Sequence, residues 1–447
     1  MLSIHKVYSR TLVWYVIIGL MFKNYIRSKL EQYVKKYFIK HPEVKLVVVA
    51  GSVGKTSAKI AIGTVLSERY RVRLHEGNHN SELSAPLAIL GVAFPEDIRK
   101  YSQWRAVFKA IRQRIKEPTD VDVIVQELGT DRIGQIPHFG TYLNPDLAVV
   151  TAVSAEHMEY FKTLDNVALE ELSVVNYSKQ ALINRDDIDG KYAVDIMNGN
   201  INTYGTNDVA EYRFDTSDYT FQDGFTGLFM APEWEQPLET TLHLMGEHSI
   251  RSAVAAGAVG VKLGMSGAEI AVGLQNIRAV NGRMNVLRGV NESIIIDDTY
   301  NSSPLAVESA LRALYQLQVS QKIAVLGSMN ELGATSPAEH EALAQWCDPT
   351  QLSYLVTVGE DAARYLAPIA KQRGCQVVSF RSPLEAGAFV HKYLEKGGAV
   401  LFKGSQGGIF LEEGVKIVLH STEDEKKLVR QTPEWMAKKQ VFFEQLV

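Results

Sequence analysis

The stretch KLVVVAGSVGKTSAKIAIGTVL, residues 45–66, decides the fold of the first half of the chain. Its apolar run Leu46 to Val49 predicts a buried strand, and the pattern from Ala58 to Leu66 predicts a helix. A glycine-containing loop between them would aim backbone N–H groups and the positive end of the helix dipole at an anion. The predicted phosphate-binding loop comprises Gly51, Ser52, Val53, Gly54, Lys55, Thr56 and Ser57.

This loop is not the ordinary P-loop. The ordinary pattern has a glycine five residues before the Gly of Gly-Lys-Thr, and this chain has Val49 there. The shorter form Gly-x-x-Gly-Lys-Thr-Ser still supplies Lys55 as a point charge for a phosphate. The chain is therefore expected to use a nucleoside triphosphate through an unusual loop.

Composition limits the compartment and the number of domains. A chain of 447 residues with 46% hydrophobic residues predicts two or three domains. Its two cysteines, Cys347 and Cys375, suit neither a disulfide framework nor a zinc site, so a cytoplasmic location is expected. The net charge of −4 is uneven: residues 1–45 hold nine Lys or Arg against two Glu, about +7, and the remainder carries about −11.

The N-terminal segment is apolar and cationic. Its apolar run, Leu12 to Phe22, is 11 residues long, whereas a spanning helix needs about 20. A second stretch carries an apolar helical stripe from Ile26 to Phe38 with lysines mostly elsewhere. Two short amphipathic helices are expected, and two interpretations stay open. The helices pack on the catalytic body or on each other, or they make peripheral contact with the inner face of a membrane.

The remaining pattern predicts an α/β protein with a mainly parallel sheet, followed by a second, Rossmann-like α/β block. VDVIVQELG and PDLAVVTAV predict further buried strands of the first block, and residues 204–244 predict an antiparallel insertion. The strands of the second block are SIIIDD, KIAVLG, LSYLVTVG, CQVVSF and AVLFKG. The expected domains are 1–44, 45–285 and 286–447.

Eight segments, taken in order, carry a resemblance to a known family. Those of the first block are GSVGKTS at 51–57, GNHNSELSAPLAILG at 77–91, QELGTDRIGQI at 126–136 and AEHMEYF at 155–161. Those of the second are NGRMNV at 281–286, IIDDTYNSSP at 295–304, VLGSMNELG at 325–333 and LFKGSQG at 401–407. Together they resemble the Mur ligases, ATP-dependent amide-forming enzymes of peptidoglycan precursor synthesis, and most of all the type that adds D-alanyl-D-alanine.

The resemblance implies a role for each matching residue. Lys55 would lie against the β- and γ-phosphates, Thr56 and Glu127 would hold Mg²⁺, and His157 would help bind a second Mg²⁺. Nucleotide contacts are implied for Arg283, in the hinge between the two blocks, and for Asp298, Tyr300 and Asn301, all brought to the cleft by closure of the C-terminal domain. Substrate contacts are implied for Asn78, Asn80, Ser303 and Lys403.

Plainer roles compete with these assignments. Glu127 could simply end a strand, His157 could be structural, and Lys403 could be a solvated lysine. Asp297 and Asp298 could cap the helix that starts near Pro304. The residues Asn78 and Asn80 could serve only as turn residues.

Three departures from the family pattern affect substrate and metal. The family has an N-terminal domain that grips the uridine diphosphate end of its substrate, and here the P-loop begins about 50 residues into the chain. That domain is expected to be missing. Where family members carry two asparagines that help seat the base, the segment GEHSIRSA has Ser249 and Ser252, so adenine selectivity is expected to be weaker.

The third departure is at Glu171. In several Mur ligases a lysine fourteen residues after the metal-binding histidine is carbamylated, and here that position is Glu171. The encoded carboxylate is expected to serve as a metal ligand in its place, with Glu170 as a competitor. The alternative is that both glutamates are solvated on an amphipathic helix. With this residue, the expected catalytic set is Lys55, Glu171, Arg283 and Lys403.

The expected activity is ATP- and Mg²⁺-dependent amide ligation through an acyl phosphate, adding D-alanyl-D-alanine to a muramyl tripeptide in peptidoglycan synthesis for the cell wall and cell shape. One alternative is a Mur-like ligase or amidase acting on another carboxylate, such as a lipid-linked precursor or a poly-glutamate chain. Another is a non-catalytic nucleotide-binding scaffold at the membrane. No nucleic-acid partner is expected.

Overall fold

The computed structural model describes residues 4–75, 77 and 79–446, and for residues 4–20 and Asp195 it describes only the backbone. In this part of the chain the strands form two sheets. The strands of the first are β1 Lys45–Ala50, β2 Val72–Leu74, β3 Val123–Glu127, β4 Leu147–Val150, β5 Ala181–Asn184, β6 Ile201–Gly205, β7 Tyr212–Thr220, β8 Gly224–Met230 and β9 Leu238–Leu242. Those of the second are β10 Asn285–Arg288, β11 Ile294–Asp298, β12 Lys322–Gly327, β13 Tyr354–Val358, β14 Val377–Phe380 and β15 Ala399–Lys403.

The α-helices are numbered in the same way. Those before the second sheet are α1 Ile4–Lys40, α2 Lys55–Leu66, α3 Ser84–Leu90, α4 Tyr101–Lys116, α5 Gln135–Phe139, α6 Met158–Phe161, α7 Leu164–Asn176, α8 Glu247–Lys262 and α9 Gly267–Asn276. Those that follow are α10 Pro304–Gln316, α11 Ser336–Leu343, α12 Ala367–Gln372, α13 Pro383–Tyr393, α14 Glu412–Val418 and α15 Pro433–Leu446.

The first sheet runs in the order β2-β3-β1-β4-β5-β6-β7-β8-β9. Neighbours from β2 through β7 are parallel, and β7, β8 and β9 pair antiparallel. The predicted antiparallel insertion over residues 204–244 is therefore an extension of the same sheet. The carboxyl ends of β1, β3 and β4 meet at one edge, which is where ligands bind in open parallel sheets.

The central strand β1 is buried on both faces, as its continuous apolar run predicts. Leu46, Val48 and Ala50 face one core, and Val47 and Val49 face the other. One core is completed by α3, α4 and α7, and the other by α2, α8 and α9. The predicted α/β class with a mainly parallel sheet is confirmed by this layering.

The second sheet runs β10-β11-β15-β12-β13-β14, parallel except for the antiparallel pair β10–β11. It contains all five strands predicted for the second block. Strand β10 is an addition that the sequence did not reveal, because NVLR is short and half polar. The division at residues 285 and 286 stays a prediction, and β10 begins at Asn285.

The N-terminal segment is one continuous helix, α1, and the prediction of two short helices was wrong. Between Ile4 and Lys40 the sequence has no proline, and the helix ends two residues before Pro42. The predicted apolar run lies mostly in residues whose side chains are outside the described set. Within the part of the chain that the structure describes, no helix combines the length and apolar character needed to span a membrane.

The second half of α1 packs on the first domain's core. Ile26, Leu30, Val34 and Tyr37 are buried against it. Of the two interpretations of this stripe, packing on the body is therefore the one that the structure shows for residues 26–37. Burial of four large side chains makes this half of α1 part of the domain's hydrophobic core.

We expect Leu30→Ala to lower the free energy of unfolding by roughly 2–5 kcal/mol, because it leaves a cavity at a fully buried site. The matched control is Ile39→Ala on the same helix, where the side chain is 80% exposed and the expected change is under about 0.5 kcal/mol. Chemical denaturation of the full chain measures both values. Equal, small effects at the two positions would contradict the packing.

Candidate active site

The loop after β1 has the backbone geometry of an anion site. Gly51 has a φ of 121°, and a Cβ there would lie 2.4 Å from the Thr151 hydroxyl, so only glycine fits. Gly54 is the N-cap of α2 with a φ of 87° and no side-chain capping hydrogen bond. The first N–H groups of α2 therefore have no side-chain cap, and this is the condition for binding a phosphate.

Lys55, the first residue of α2, is folded back over this loop. Its ammonium group donates hydrogen bonds to the carbonyl oxygens of Gly51 and Ser52, and it lies 3.6 Å from the Glu156 carboxylate. Burial opposes the charge, but the carboxylates of Glu156 and Glu171 outweigh it and raise the pKa of Lys55. The ammonium is charged and held by groups that a phosphate could replace.

Glu127, at the end of β3, is buried among polar partners. Its carboxylate accepts hydrogen bonds from the Thr56 hydroxyl at 3.0 Å and the Asn80 amide at 3.0 Å. Lys59 lies 3.4 Å from it. Although burial opposes ionisation, Lys59, Lys55 and Arg283 together lower the pKa of Glu127. The site thus has a fixed anion beside a hydroxyl, two oxygen donors suited to Mg²⁺.

Glu171 lies beneath the loop. Its carboxylate accepts a hydrogen bond of 2.7 Å from the Gly51 N–H, and the side chain is buried. Burial raises the pKa of Glu171 to about 7 against the opposing charge of Lys55. The hydrogen bond to Gly51 helps to hold the conformation of the P-loop. The role of Glu171 as a metal ligand stays a prediction.

Glu170 has a separate structural role. It accepts hydrogen bonds from the Gly134 and Ile136 N–H groups at 2.6 and 2.7 Å, at the start of α5. The alternative that Glu170 and Glu171 are solvated was wrong, because both face buried backbone donors. Glu170 is thus engaged at the start of α5, and its competition with Glu171 for a metal stays a prediction.

Arg283 connects the second block to the P-loop. Its guanidinium donates a hydrogen bond of 3.1 Å to the Thr56 hydroxyl and lies 4.2 Å from the centre of the Tyr300 ring. Stacking on an aromatic ring holds a guanidinium in one orientation. The contact with Thr56 places the Arg283 guanidinium beside the predicted phosphate loop.

The end of β11 forms a second polar centre. Asp298 lies 2.8 Å from the Lys403 ammonium and accepts a hydrogen bond of 3.2 Å from the Met284 N–H. Lys403 also donates to the Asn301 carbonyl at 2.6 Å and is buried, so the solvated alternative was wrong. Through Met284 and Asn301, this ion pair joins the hinge residues before β10 to the loop after β11.

Asp297 organises that loop from within. It accepts hydrogen bonds from the N–H and hydroxyl of Thr299 and from the Gly282 N–H, and burial raises its pKa to about 7. The helix-capping alternative for Asp297 and Asp298 was wrong, because Ser303 is the N-cap of α10. Asp297 instead holds the turn that presents the residues after it.

His157 faces the second block. Its Nδ1 lies 3.1 Å from the Glu331 carboxylate, and its Nε2 lies 4.0 Å from Glu156. Among the described residues, no three His, Cys, Asp or Glu side chains are grouped as a ready metal site. The predicted second Mg²⁺ ligand role of His157 stays a prediction.

These groups surround one cavity of about 510 Å³ between the two sheets. The wall includes the P-loop, Asn80, Glu127 and His157 from the first half, and the second half contributes Arg283, Asp298, Tyr300, Asn301, Ser303 and Lys403. The hydroxyls of Ser302 and Ser303 are buried in this wall without a hydrogen-bond partner among the described residues. Unpaired buried hydroxyls in a cavity wall indicate where a polar ligand would bind.

Comparison with known families agrees with this geometry. The family description "Mur ligase middle domain" matches residues 49–260, and "Mur ligase, glutamate ligase domain" matches residues 282–406. The chain belongs to the Mur ligase family. The resemblance inferred from the motifs is confirmed, and so is the ligase class that it implied.

Two curated relatives of this Mur ligase carry the same name, UDP-N-acetylmuramoyl-tripeptide–D-alanyl-D-alanine ligase. The one from Bacillus subtilis is 26% identical over 87% of this chain and 79% of its own length, and the one from Borreliella burgdorferi is 25% identical over 74% and 66%. The crystal structure of the MurF ligase from Thermotoga maritima in complex with ADP has a TM-score of 0.71 at 22% identity, over 91% of this chain and 85% of that one. This likeness confirms the fold.

Most predicted site residues of this Mur ligase lie around the one cavity. Asn78 lies outside the described residues, and Glu171 is beneath the P-loop and not in the cavity wall. Ser249 and Ser252 both line the cavity, and the Ser249 hydroxyl donates to the Met245 carbonyl of its own chain segment at 2.7 Å. The weaker adenine selectivity stays a prediction.

Sequence reasoning missed three polar groups of this Mur ligase. Lys59 lies one helical turn after Lys55 on the same face of α2 and pairs with Glu127, and this spacing could have revealed it. Glu156 pairs with Lys55 and precedes the noted histidine. His248 lines the cavity, and burial lowers its pKa to about 4, so its imidazole is neutral.

We expect the stability gained by Glu171→Gln, relative to the wild type, to grow with pH. The pKa of Glu171 rises from an ordinary 4.5 to about 7 on folding. Its contribution to stability is therefore complete below about pH 4.5 and is lost as pH rises through about 7, a span worth on the order of 3 kcal/mol. Glutamine keeps the Gly51 contact and removes the titration.

Urea denaturation of both proteins at pH 5 and pH 8, without nucleotide or metal, measures this difference. Glu96→Gln, on an exposed residue, controls for the change in net charge. A difference between variant and wild type that is the same at both pH values would contradict the buried titration.

Proposed function

We propose that this Mur ligase joins D-alanyl-D-alanine to the terminal carboxyl group of a muramyl tripeptide at the expense of ATP. The observation that carries the proposal is the shared cavity. It holds a P-loop and a Thr56–Glu127 pair on one side and the Asp298–Lys403 pair on the other. Phosphoryl transfer and amide formation need these two groups of residues in one enclosed space.

The donor set fits ATP and Mg²⁺. Uncapped N–H groups at the start of α2 and the ammonium of Lys55 would hold the β- and γ-phosphates. The Thr56 hydroxyl and the Glu127 carboxylate would hold Mg²⁺. When bound, ATP supplies the phosphoryl group that converts the substrate carboxylate into an acyl phosphate with release of ADP.

The protein's own residues then position the reacting groups and neutralise the charge of the phosphoryl group. Lys55 and Arg283 place two cations beside the transferring phosphoryl group, and they stabilise charge there. The amine attacks the acyl carbon, the amide bond forms and phosphate leaves. Contact between Arg283 and Thr56 closes the cleft, which keeps water from hydrolysing the acyl phosphate.

The substrate class rests on the relatives. Both curated relatives reported above are named for adding D-alanyl-D-alanine to a UDP-linked muramyl tripeptide. The segment IIDDTYNSSP supports the same class, because its Asp298, Tyr300 and Asn301 line the cavity. Asn301 also fixes the Lys403 ammonium through its carbonyl oxygen, so this segment and the substrate-side cation are one unit.

We expect Lys55→Met to abolish ATP turnover with the fold retained, because it removes the ammonium from the phosphate loop and keeps its apolar stem. The assay measures phosphate release from ATP with UDP-linked muramyl tripeptide and D-alanyl-D-alanine. Phosphate release by the wild type should require both the muramyl tripeptide and D-alanyl-D-alanine. Lys45→Met, on an exposed residue of β1, is the matched control and should turn over normally.

Three outcomes would count against this function or change its substrate. Near-normal turnover by Lys55→Met would remove the P-loop from the mechanism. Nucleotide binding by the wild type without phosphate release, in the presence of both substrates, would favour the non-catalytic scaffold. Release with a different carboxylate alone would move the proposal to another substrate of the same chemistry.

A finer proposal concerns the membrane: residues 1–20 make a peripheral contact with anionic lipid. Most of the apolar run Leu12 to Phe22 lies in this segment, and Lys6 and Arg10 precede it. The same helix continues to the active site, where Lys23 lines the cavity and Arg27 pairs with Glu82 at 2.9 Å. Contact at residues 1–20 would therefore place the cavity near the lipid surface.

We expect a variant lacking residues 1–20 to keep ATP turnover and to lose co-sedimentation with vesicles containing phosphatidylserine. The cut is made before residue 26 because the buried stripe of α1 begins there. Vesicles of phosphatidylcholine alone control for apolar binding without charge. Equal partitioning of the full-length and shortened proteins would rule out the contact.

A further inference from the structure

The C-terminal segment, residues 428–446, lies beyond the matched ligase domain, which ends at residue 406. It contains α15 and packs back on the second sheet, with Leu428 in that sheet's core. Phe442 of α15 contacts Phe410 with ring centres 5.2 Å apart. The proposed mechanism assigns no role to this segment.

Arg430 makes four specific contacts from this segment. Its guanidinium binds both oxygens of Glu412 at 2.8 Å each, and it donates to the carbonyl oxygens of Thr299 and Tyr300 at 2.6 and 3.0 Å. The side chain is almost fully buried. A rigid planar fork can satisfy two carboxylate oxygens and two carbonyls at once, and a lysine cannot.

Helix α15 completes the charge balance of this centre. Glu412 is fully buried, and the Lys439 ammonium lies 2.9 Å from it and 2.6 Å from Glu413. Lys439 is itself 1% exposed. Buried ions are stable only when every partner is in place, so Arg430, Glu412 and Lys439 hold one another in fixed positions.

The centre is connected to the nucleotide region through the hinge. Tyr300, held by Arg430, donates its N–H to the Gly282 carbonyl at 3.0 Å, and a Cβ on Gly282 would lie 2.7 Å from Val429. The next residue, Arg283, stacks on the Tyr300 ring and reaches Thr56. The C-terminal segment therefore contacts both sides of the turn that carries Arg283.

We propose that Arg430 is a positioning residue that fixes the Tyr300 ring and the Gly282 turn so that Arg283 reaches the phosphate region of a bound nucleotide. This inference rests on the proposed function only in taking ATP as the nucleotide. Arg430 does not line the cavity and acts through Tyr300 and Arg283. The segment outside the matched domains is thus part of the nucleotide site's support.

The test uses the full chain and the affinity for a fluorescent ATP analogue with Mg²⁺, together with kcat and KM for ATP. Arg430→Lys keeps a cation for Glu412 and loses the fork, and we expect the dissociation constant to rise about tenfold. In an Arg283→Ala background the same substitution should change the constant less than about twofold, because the residue through which it acts is gone. If Arg430 had only a general structural role, the effects of the two substitutions on the dissociation constant would multiply in the double variant.

Lys439→Met and its neighbour Lys438→Met form a matched pair. Lys439 is buried in the ion centre, whereas Lys438 lies 4.4 Å from the Trp435 ring at an exposed position. We expect weaker nucleotide binding from the first and unchanged binding from the second. If Arg430→Lys does not fold, Val429→Ala, which loosens the contact with Gly282 and leaves the ions in place, carries the same comparison.

The inference is overturned if folded Arg430→Lys and Val429→Ala both bind the analogue within twofold of the wild type, or if the Arg430 and Arg283 effects multiply. Because the test measures binding affinity, its result does not depend on whether the proposed reaction occurs. A wild type that binds the analogue but ligates no substrate would contradict the proposed function and leave the positioning test intact.

Discussion

The buried carboxylate of Glu127 is the constraint on which the rest of the site depends. A carboxylate without compensation in this place would be protonated or would destabilise the fold. It is balanced by Lys59 and Lys55 of α2 and by Arg283 of the hinge, with hydrogen bonds from Thr56 and Asn80. One residue at a strand end thus fixes the helix after the P-loop, the Asn80 loop and the approach of the second half.

The phosphate site is acidic beneath and beside its lysine. Glu127, Glu156 and Glu171 all raise the pKa of Lys55, whereas Arg283 lowers it. Glu127 in turn is opposed by Lys59, Lys55 and Arg283, so three cations face the carboxylates of this region. The charges of the loop region are thus largely paired with one another, and a Mg²⁺ held by Thr56 and Glu127 would supply the further positive charge that a bound triphosphate needs.

The P-loop, the parallel strands and the strand-end carboxylate could be predicted because each depends on local order, whereas contacts between distant elements could not. The spacing of apolar residues over 26–38 shows that the helix has an apolar face but not that the face meets a protein core. Asp297 and Asp298 precede a helix that begins with proline, so capping was a reasonable local interpretation. The structure uses them at longer range: Asp298 pairs with Lys403, which is adjacent only because β11 and β15 are neighbours in the sheet. Strand order in a parallel sheet is set by crossovers, and a single sequence does not display it.

Contacts across the cleft differ sharply in strength from those that hold the hinge. The His157–Glu331 pair that bridges the two halves is partly exposed, since the Glu331 side chain is 40% exposed, and such pairs contribute little. By contrast, Gly282 is held to Tyr300, Asp297 and Val429, all part of the second half. Arg283 also donates its N–H to the Val280 carbonyl at 2.9 Å, which makes residues 280–283 one turn. By these contacts Arg283 belongs to the second half, and its hydrogen bond to Thr56 joins that half to the phosphate loop of the first.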